Sequence, residues 1–229
     1  MTMLKWVLPS NLSGRVVSDA EHIANPPPFD WADVPASNWW AHGDLVQEIF
    51  RARQPAVVVE IGVFRGSSLY LMAEIALRNN IRCGFLGVDT WGGDIVWNPG
   101  TVEMSDAEEQ AKRLVSGYGN VLLLKDTGWR ASLAFPRRSV DLVHIDADHS
   151  YEGVKRDFEN WLPKLAPEGI MLLHDIGVIQ KDVGVRFFWR EVQSRFPTFS
   201  DTRAVGLGVV APFGVPAGLP WIRKTITAT

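Results

Sequence analysis

The sequence predicts an α/β fold, a mostly parallel sheet with helices on both faces, and three observations predict it. Residues 57–68, VVVEIGVFRGSS, open with a run of apolar, mostly β-branched residues, the pattern of a strand buried on both faces of a parallel sheet. The same stretch continues through Glu60, Gly62 and Gly66, an E-x-G-x-x-x-G turn, into Ser67 and Ser68, which stand where a following helix needs an N-cap. Farther on, two more expected strands, 140–145 and 170–173, each end in acids and imidazoles: Asp146, Asp148 and His149 after the first, His174 and Asp175 after the second. Parallel strands deliver such residues to one edge of the sheet, where the ligands of open α/β folds bind.

Taken in order, residues 1–37 read as an irregular arm over the domain, with Pro26, Pro27 and Pro28 forbidding helix. Residues 38–53 place Trp39, Trp40, Leu45, Val46, Ile49 and Phe50 at helical spacing ahead of the first strand. The helix from Ser67 to about residue 79 turns Leu69, Leu71, Met72, Ile75 and Ala76 inward, and 83–88, CGFLGV, is a second strand ending at Asp89. Residues 90–104, with four glycine or proline breaks and two tryptophans, read as a long loop above the sheet. A polar helix over 105–116, a strand over 121–124, and a short helix over 128–134 follow. Asp126 lies between the last two, either capping that helix or reaching toward a ligand. After the strand 140–145, Tyr151, Val154, Phe158, Trp161 and Leu162 form one helix face that Pro163 curtails. Residues 165–169 turn back into the strand 170–173, and 183–196 form a helix that Pro197 ends. Residues 199–203 and 206–211 then make two last strands, and the tail from 213 gives no pattern.

The chain has 229 residues, 46% apolar and 21% charged, enough for one domain over 38–212 with a good core. A net charge of −3 leaves no broad basic surface, which argues against non-specific binding of nucleic acid. No apolar run approaches the ~20 residues of a membrane span and the start lacks a signal-peptide core, so a cytoplasmic protein is expected. The lone cysteine, Cys83, excludes an internal disulfide and a Cys-rich zinc site. The Trp- and Pro-rich arm could serve a partner subunit in a homo-oligomer.

The glycine turn also speaks to the ligand. A dinucleotide fingerprint carries glycine where this chain has Glu60. A carboxylate there repels a diphosphate and suits a ligand with an amino group or a sulfonium; S-adenosylmethionine has both. Asp89, at the tip of the second strand, can accept the hydroxyls of a ribose or cap its own turn. At the other two tips, Asp146 and Asp175 could hold a hard divalent cation, Mg²⁺ for preference, or Asp146, His149 or His174 could take a proton from a hydroxyl.

Together VVVEIGVFRGSS, GVDTWGGD, VDLVHIDADHSYEGVKRDFENWLPKLAPEGIMLLHD and GLGVV resemble the class I S-adenosylmethionine-dependent methyltransferases, over about residues 40–212. Most similar are the bacterial small-molecule and sugar O-methyltransferases. The resemblance implies a Rossmann-like seven-stranded sheet, mostly parallel with its last strand antiparallel, and methyl transfer to a hydroxylated small molecule. It places Glu60, Gly62, Gly66 and Ser68 around the methionine part of the cofactor, Asp89 at the ribose and Asp126 near the adenine. IDAD also resembles the VDAD run of metal-dependent catechol-type enzymes, which implies Asp146 and Asp175 as metal ligands. Those relatives carry an Asn or Asp as third ligand where this chain has Ile176, so His174 or Asp148 would replace it, or the site would be weak. His149 stands where the catechol-type family has a helper lysine, and is the leading base. A metal-dependent oxygenase on the same scaffold, an NAD-dependent oxidoreductase and a non-catalytic binding module are the other readings.

Overall fold

The structure, a computed structural model, describes residues 34, 37–93 and 103–224. Most of the expected arm and the centre of the 90–104 loop therefore lie outside the described residues. Ser37 opens the described fold: its hydroxyl accepts from Trp39 N at 3.1 Å and starts a 3-10 turn, Asn38–His42, which passes into helix α1, Gly43–Arg53. The single helix expected over 38–53 is thus two geometries joined at His42.

The parallel core follows as β1 (Val57–Ile61), α2 (Ser67–Arg78), β2 (Gly84–Asp89), α3 (Glu103–Val115), β3 (Val121–Lys125), α4 (Gly128–Ser132), β4 (Val140–Ile145), α5 (Tyr151–Trp161) and β5 (Leu165–His174). Helix α6 (Val185–Arg195) leads to β6 (Pro197–Asp201) and β7 (Leu207–Val210), and a two-residue β8 (Arg223–Lys224) ends the described chain. The strand order is β3-β2-β1-β4-β5-β7-β6-β8. The first five strands pair in parallel, and β7 runs antiparallel between β5 and β6. Seven strands thus form the expected sheet, and β8 adds an eighth by pairing antiparallel with β6. The order reverses between β1 and β4, which opens a crevice at their carboxyl ends.

Two cores flank the sheet. Leu45 and Phe50 of α1, Leu69 and Met72 of α2, and Ala111 of α3 pack on Val58, Phe85, Leu142 and Leu172. Phe158 and Trp161 of α5, with Phe188 and Val192 of α6, pack on Val59, Ile61, Val143 and Leu173. Because Glu60 pairs with His144 and His144 with Leu172, the even-numbered residues of β1, β4 and β5 share the α1–α2 face. Any polar side chain at an even position near the strand tips therefore joins one row.

Two stretches differ from the sequence reading. Residues 165–169 are strand, because β5 already pairs Leu165 with Val140 before a register shift absorbs the Pro-Glu-Gly run. The tail is also packed: Leu219 and Ile222 are buried within the α1–α2 core. Among the described residues no helix is long and apolar enough to cross a membrane.

Candidate active site

At the tip of β1 the chain turns through Gly62 and Gly66, both with φ near +88°, a conformation that L side chains rarely adopt. Gly62 has a second reason to be glycine. A Cβ there would lie 2.0 Å from the backbone oxygen of Asp146, whose N–H bonds Ile61 O at 2.8 Å. The turn and the acid of β4 are thus packed backbone to backbone. Gly66 takes the N-cap position of α2 in place of the expected serines, without a side-chain cap bond, and the Ser68 hydroxyl instead donates to Glu60 Oε1.

Glu60 is fully buried and faces inward beneath the turn. Its Oε1 also accepts from His144 Nδ1 at 2.8 Å, and His144 Nε2 accepts from the indole N–H of Trp39 at 3.0 Å, which fixes the imidazole proton on Nδ1. Burial pushes the Glu60 carboxyl up, against the pull of His144 and Ser68. Its Oε2 has no hydrogen-bond partner among the described residues. An acid with one unanswered oxygen below a glycine cradle fits the ammonium of S-adenosylmethionine. Asp89 accepts from Val63 N and Phe64 N on one oxygen, each at 2.8 Å, and from Trp91 N at 2.7 Å on the other. Of a carboxylate's roughly four acceptor sites, about one is left for a ribose hydroxyl. Asp126 accepts from Thr127 N at 2.8 Å and pairs with Arg130 at 3.2 Å, but Thr127 takes the N-cap position of α4 and no side chain bonds there as a cap, so the expected capping role is not seen.

Beside this turn, β4 and β5 bring two carboxylates and two imidazoles into one cluster. His149 Nε2 lies 2.7 Å from Asp175 Oδ2 and 3.5 Å from Asp146 Oδ1. His174 Nδ1 lies 3.3 Å from Asp146 Oδ1 and 3.5 Å from Asp175 Oδ2. Carboxylates and imidazoles alternate around the cluster. Burial alone would raise both carboxyls, but the imidazoles hold Asp146 well below the usual carboxylate range and lower Asp175. Burial likewise disfavours a charged His174, yet Asp146 and Asp175 raise it to about 10. Asp175 adopts φ 60°, a strained backbone for a non-glycine residue of the kind that gathers at functional sites. The His149 carbonyl accepts from Gly184 N at 2.7 Å, which ties the approach to α6 onto the cluster.

Asp146, His149 and Asp175 each offer a donor atom, all within 4.8 Å of one another. Two carboxylate oxygens and an imidazole nitrogen so placed suit one divalent ion, after a contraction toward ligand distances of about 2.0–2.2 Å. Asp148 does not join them. It accepts from Ser150 N at 3.0 Å, faces Arg156 at 3.5 Å and packs over Gly153 at the start of α5.

Comparison with known proteins bears on this geometry. The family described as "Methyltransferase domain" matches residues 59–176, a little over half of the chain and the segment that carries the glycine turn and both strand tips. The chain belongs to this methyltransferase family. An uncharacterized protein, y4gI, of Sinorhizobium fredii is 31% identical over 201 residues, covering 85% of this chain, and the chain spans only 21% of the length of that relative. Among solved structures, the O-methyltransferase TomG of Streptomyces achromogenes, in complex with SAM, superposes with a TM-score of 0.57 at 17% identity, over 79% of this chain and 82% of that one. SAH-bound PaMTH1 of Podospora anserina gives 0.56 at 16% identity, over 80% and 82%. These likenesses show the methyltransferase fold. Neither the oxidoreductase nor the oxygenase reading is favoured by them.

Three polar residues of this methyltransferase fold escaped the sequence reading: His144, His42 and Asp201, all buried. A signal existed for His144, since an imidazole inside an otherwise apolar strand needs a buried partner. None existed for His42 and Asp201, which meet across 159 positions.

Proposed function

We propose that this chain transfers the methyl group of S-adenosylmethionine to a hydroxyl of a small molecule of sugar or natural-product type, in a cytoplasmic setting. The observation that carries the reading is the Asp146–His149–Asp175–His174 cluster, set against the Gly62 turn of a methyltransferase fold. The cofactor supplies a sulfonium methyl, open to in-line displacement. Glu60 and the glycine turn receive its amino-acid end, Asp89 accepts a ribose hydroxyl, and Asp126 borders the adenine. Asp146 and Asp175 would hold a divalent ion, Mg²⁺, which would lower the pKa of the acceptor hydroxyl. His149, held beside the two carboxylates and left out of the ion's shell, is the base that takes the hydroxyl proton, and the neighbouring acids stabilise the imidazolium that results. His174, facing Asp146 at 3.3 Å and Asp175 at 3.5 Å, balances their charge. Holding the oxygen and methyl carbon in near-attack geometry accounts for about 7–11 kcal/mol of the barrier, and the base for about 10²–10⁴-fold.

The test is calorimetric titration with S-adenosylmethionine, followed by labelled cofactor against a panel of hydroxylated sugars and phenols with and without Mg²⁺. Binding in the micromolar range and label transfer to a panel member are expected. Asp146→Ala should abolish transfer while cofactor binding persists. Full activity in that variant, or no cofactor binding by the natural chain, would overturn the proposal.

A further inference from the structure

His174 meets two other imidazoles as well as the two carboxylates. His42 packs edge to face against it at 5.9 Å between ring centroids, and His144 at 6.3 Å. His42 comes from the 3-10 turn before α1, is completely buried, and gives its Nδ1 to Asp201 Oδ2 at 2.8 Å. Asp201 is fixed in turn: the Arg203 guanidinium binds both its oxygens, at 2.9 and 3.0 Å from Nε, and extends to Asp44 of α1 at 2.8 Å. The sheet puts these groups in one row, since Leu207 of β7 pairs with His174 on one side and Asp201 on the other. Both His42 and Asp201 lie outside the span 59–176 that matches the family.

Burial lowers the pKa of His42 from its ordinary value, although Asp201 pulls the other way. A neutral imidazole bonded to an acceptor-only carboxylate carries its proton on Nδ1, which leaves Nε2 a lone pair in the interior. That atom and His174 Nε2 are both buried without a hydrogen-bond partner among the described residues. An imidazole ring flip at position 174 would swap Nδ1, which faces Asp146 and Asp175, for carbon. Whatever grips the far part of the ring therefore decides whether the carboxylates stay matched.

We infer that His42, locked by Asp201, is a positioning residue that fixes the orientation of the His174 imidazole facing Asp146 and Asp175. The inference rests on the proposed function only in giving that orientation a catalytic purpose. The lock joins two segments brought together by the fold, the turn ahead of α1 and the end of β6.

The experiment uses the full chain with ¹⁵N-labelled histidine. Its five histidines give an assignable spectrum, with the His174 signals identified by their loss in His174→Gln. His42→Phe keeps a ring and removes both nitrogens; Asp201→Asn keeps shape and removes the charge that locks His42. Both variants are expected to shift the ¹⁵N signal pattern of the His174 ring as its orientation against the carboxylates changes, while S-adenosylmethionine binds as in the natural chain. His42→Gln, which retains a polar terminus, should restore the pattern in part. With a panel member that the natural chain methylates, kcat should fall about 10- to 100-fold with KM for the cofactor unchanged. An unaltered His174 ring signal pattern in folded His42→Phe overturns the inference, and if that variant does not fold, Asp201→Asn decides in the same way. Failure of the natural chain to bind S-adenosylmethionine would instead overturn the proposed function and leave the spectral comparison standing.

Discussion

Glu60 is a carboxyl placed where water cannot reach it, and its surroundings show what keeps it there. His144 and Ser68 answer one oxygen, and Trp39 holds His144 in the tautomer that donates. Removing one partner of such a set leaves the rest desolvated and unpaired, a loss of about 3–5 kcal/mol. Glu60→Ala should therefore lower unfolding free energy in urea by about that much, whereas Glu60→Gln, which can still accept, should cost less; equal and small losses would show that the set carries little weight. Asp157 gives a pH-dependent case. Burial, opposed by Arg156, pushes its carboxyl from 3.8 up to about 6. The folded chain thus holds this proton more tightly than the unfolded one. Its stabilising contribution is complete below about pH 4 and is lost as pH rises through about 6, a change of at most about 3 kcal/mol. Urea midpoints at pH 5 and pH 8 for the natural chain and Asp157→Asn should show the variant gaining relative stability at the higher pH. A constant difference between the two proteins at both pH values would contradict the assigned burial.

The turn after β1 and the tip of β4 act as one element, because Gly62 admits the Asp146 backbone where any side chain would collide. Gly62→Ala should cost about 2–4 kcal/mol, combining left-handed strain with overpacking, and should weaken cofactor binding by calorimetry; unchanged binding in a folded variant would separate the turn from the site. At this scale the sequence was most readable where one pattern ruled. The strand 140–145 is seen at its expected ends because Val140, Leu142, Val143 and Ile145 carry it and acids stop it. The first residues of β5 were hidden by Pro167 and Gly169, ordinary turn signals that a register shift accommodates inside the sheet. Ser67 and Ser68 read as caps because local propensity says so, but Ser68 faces a buried acid and bonds it instead. Asp146, His149, His174 and Asp175 were legible as neighbours because parallel strands end at one edge. Which residue would stand with the two acids was not: Asp148 and His149 are adjacent in sequence, and only the entry into α5 turns Asp148 away.

Over the whole molecule, the two ends of the described chain meet on α1, and this contact reaches the site. Leu219 and Ile222 are buried in the core that α1 shares with α2, and Gly218 approaches so closely that a Cβ would lie 2.7 Å from that of Ala52. The Trp221 indole stacks edge-on with Phe199 of β6 at 4.8 Å and donates to Glu48 of α1 at 2.7 Å. The tail therefore clamps α1 against β6, the two elements whose near ends supply His42 and Asp201. Removing residues 216–229 takes two fully buried aliphatic side chains out of the core, each worth about 1.5–3 kcal/mol. Such a truncated chain should unfold at lower urea with a loss of about 3–6 kcal/mol. Its His174 ring signals should also move in the direction seen for Asp201→Asn, because the grip on His42 loosens with the clamp. Were the urea midpoint unchanged, the tail would be a passenger. A large loss of stability with His174 unmoved would confine the clamp to the core and cut its link to the site.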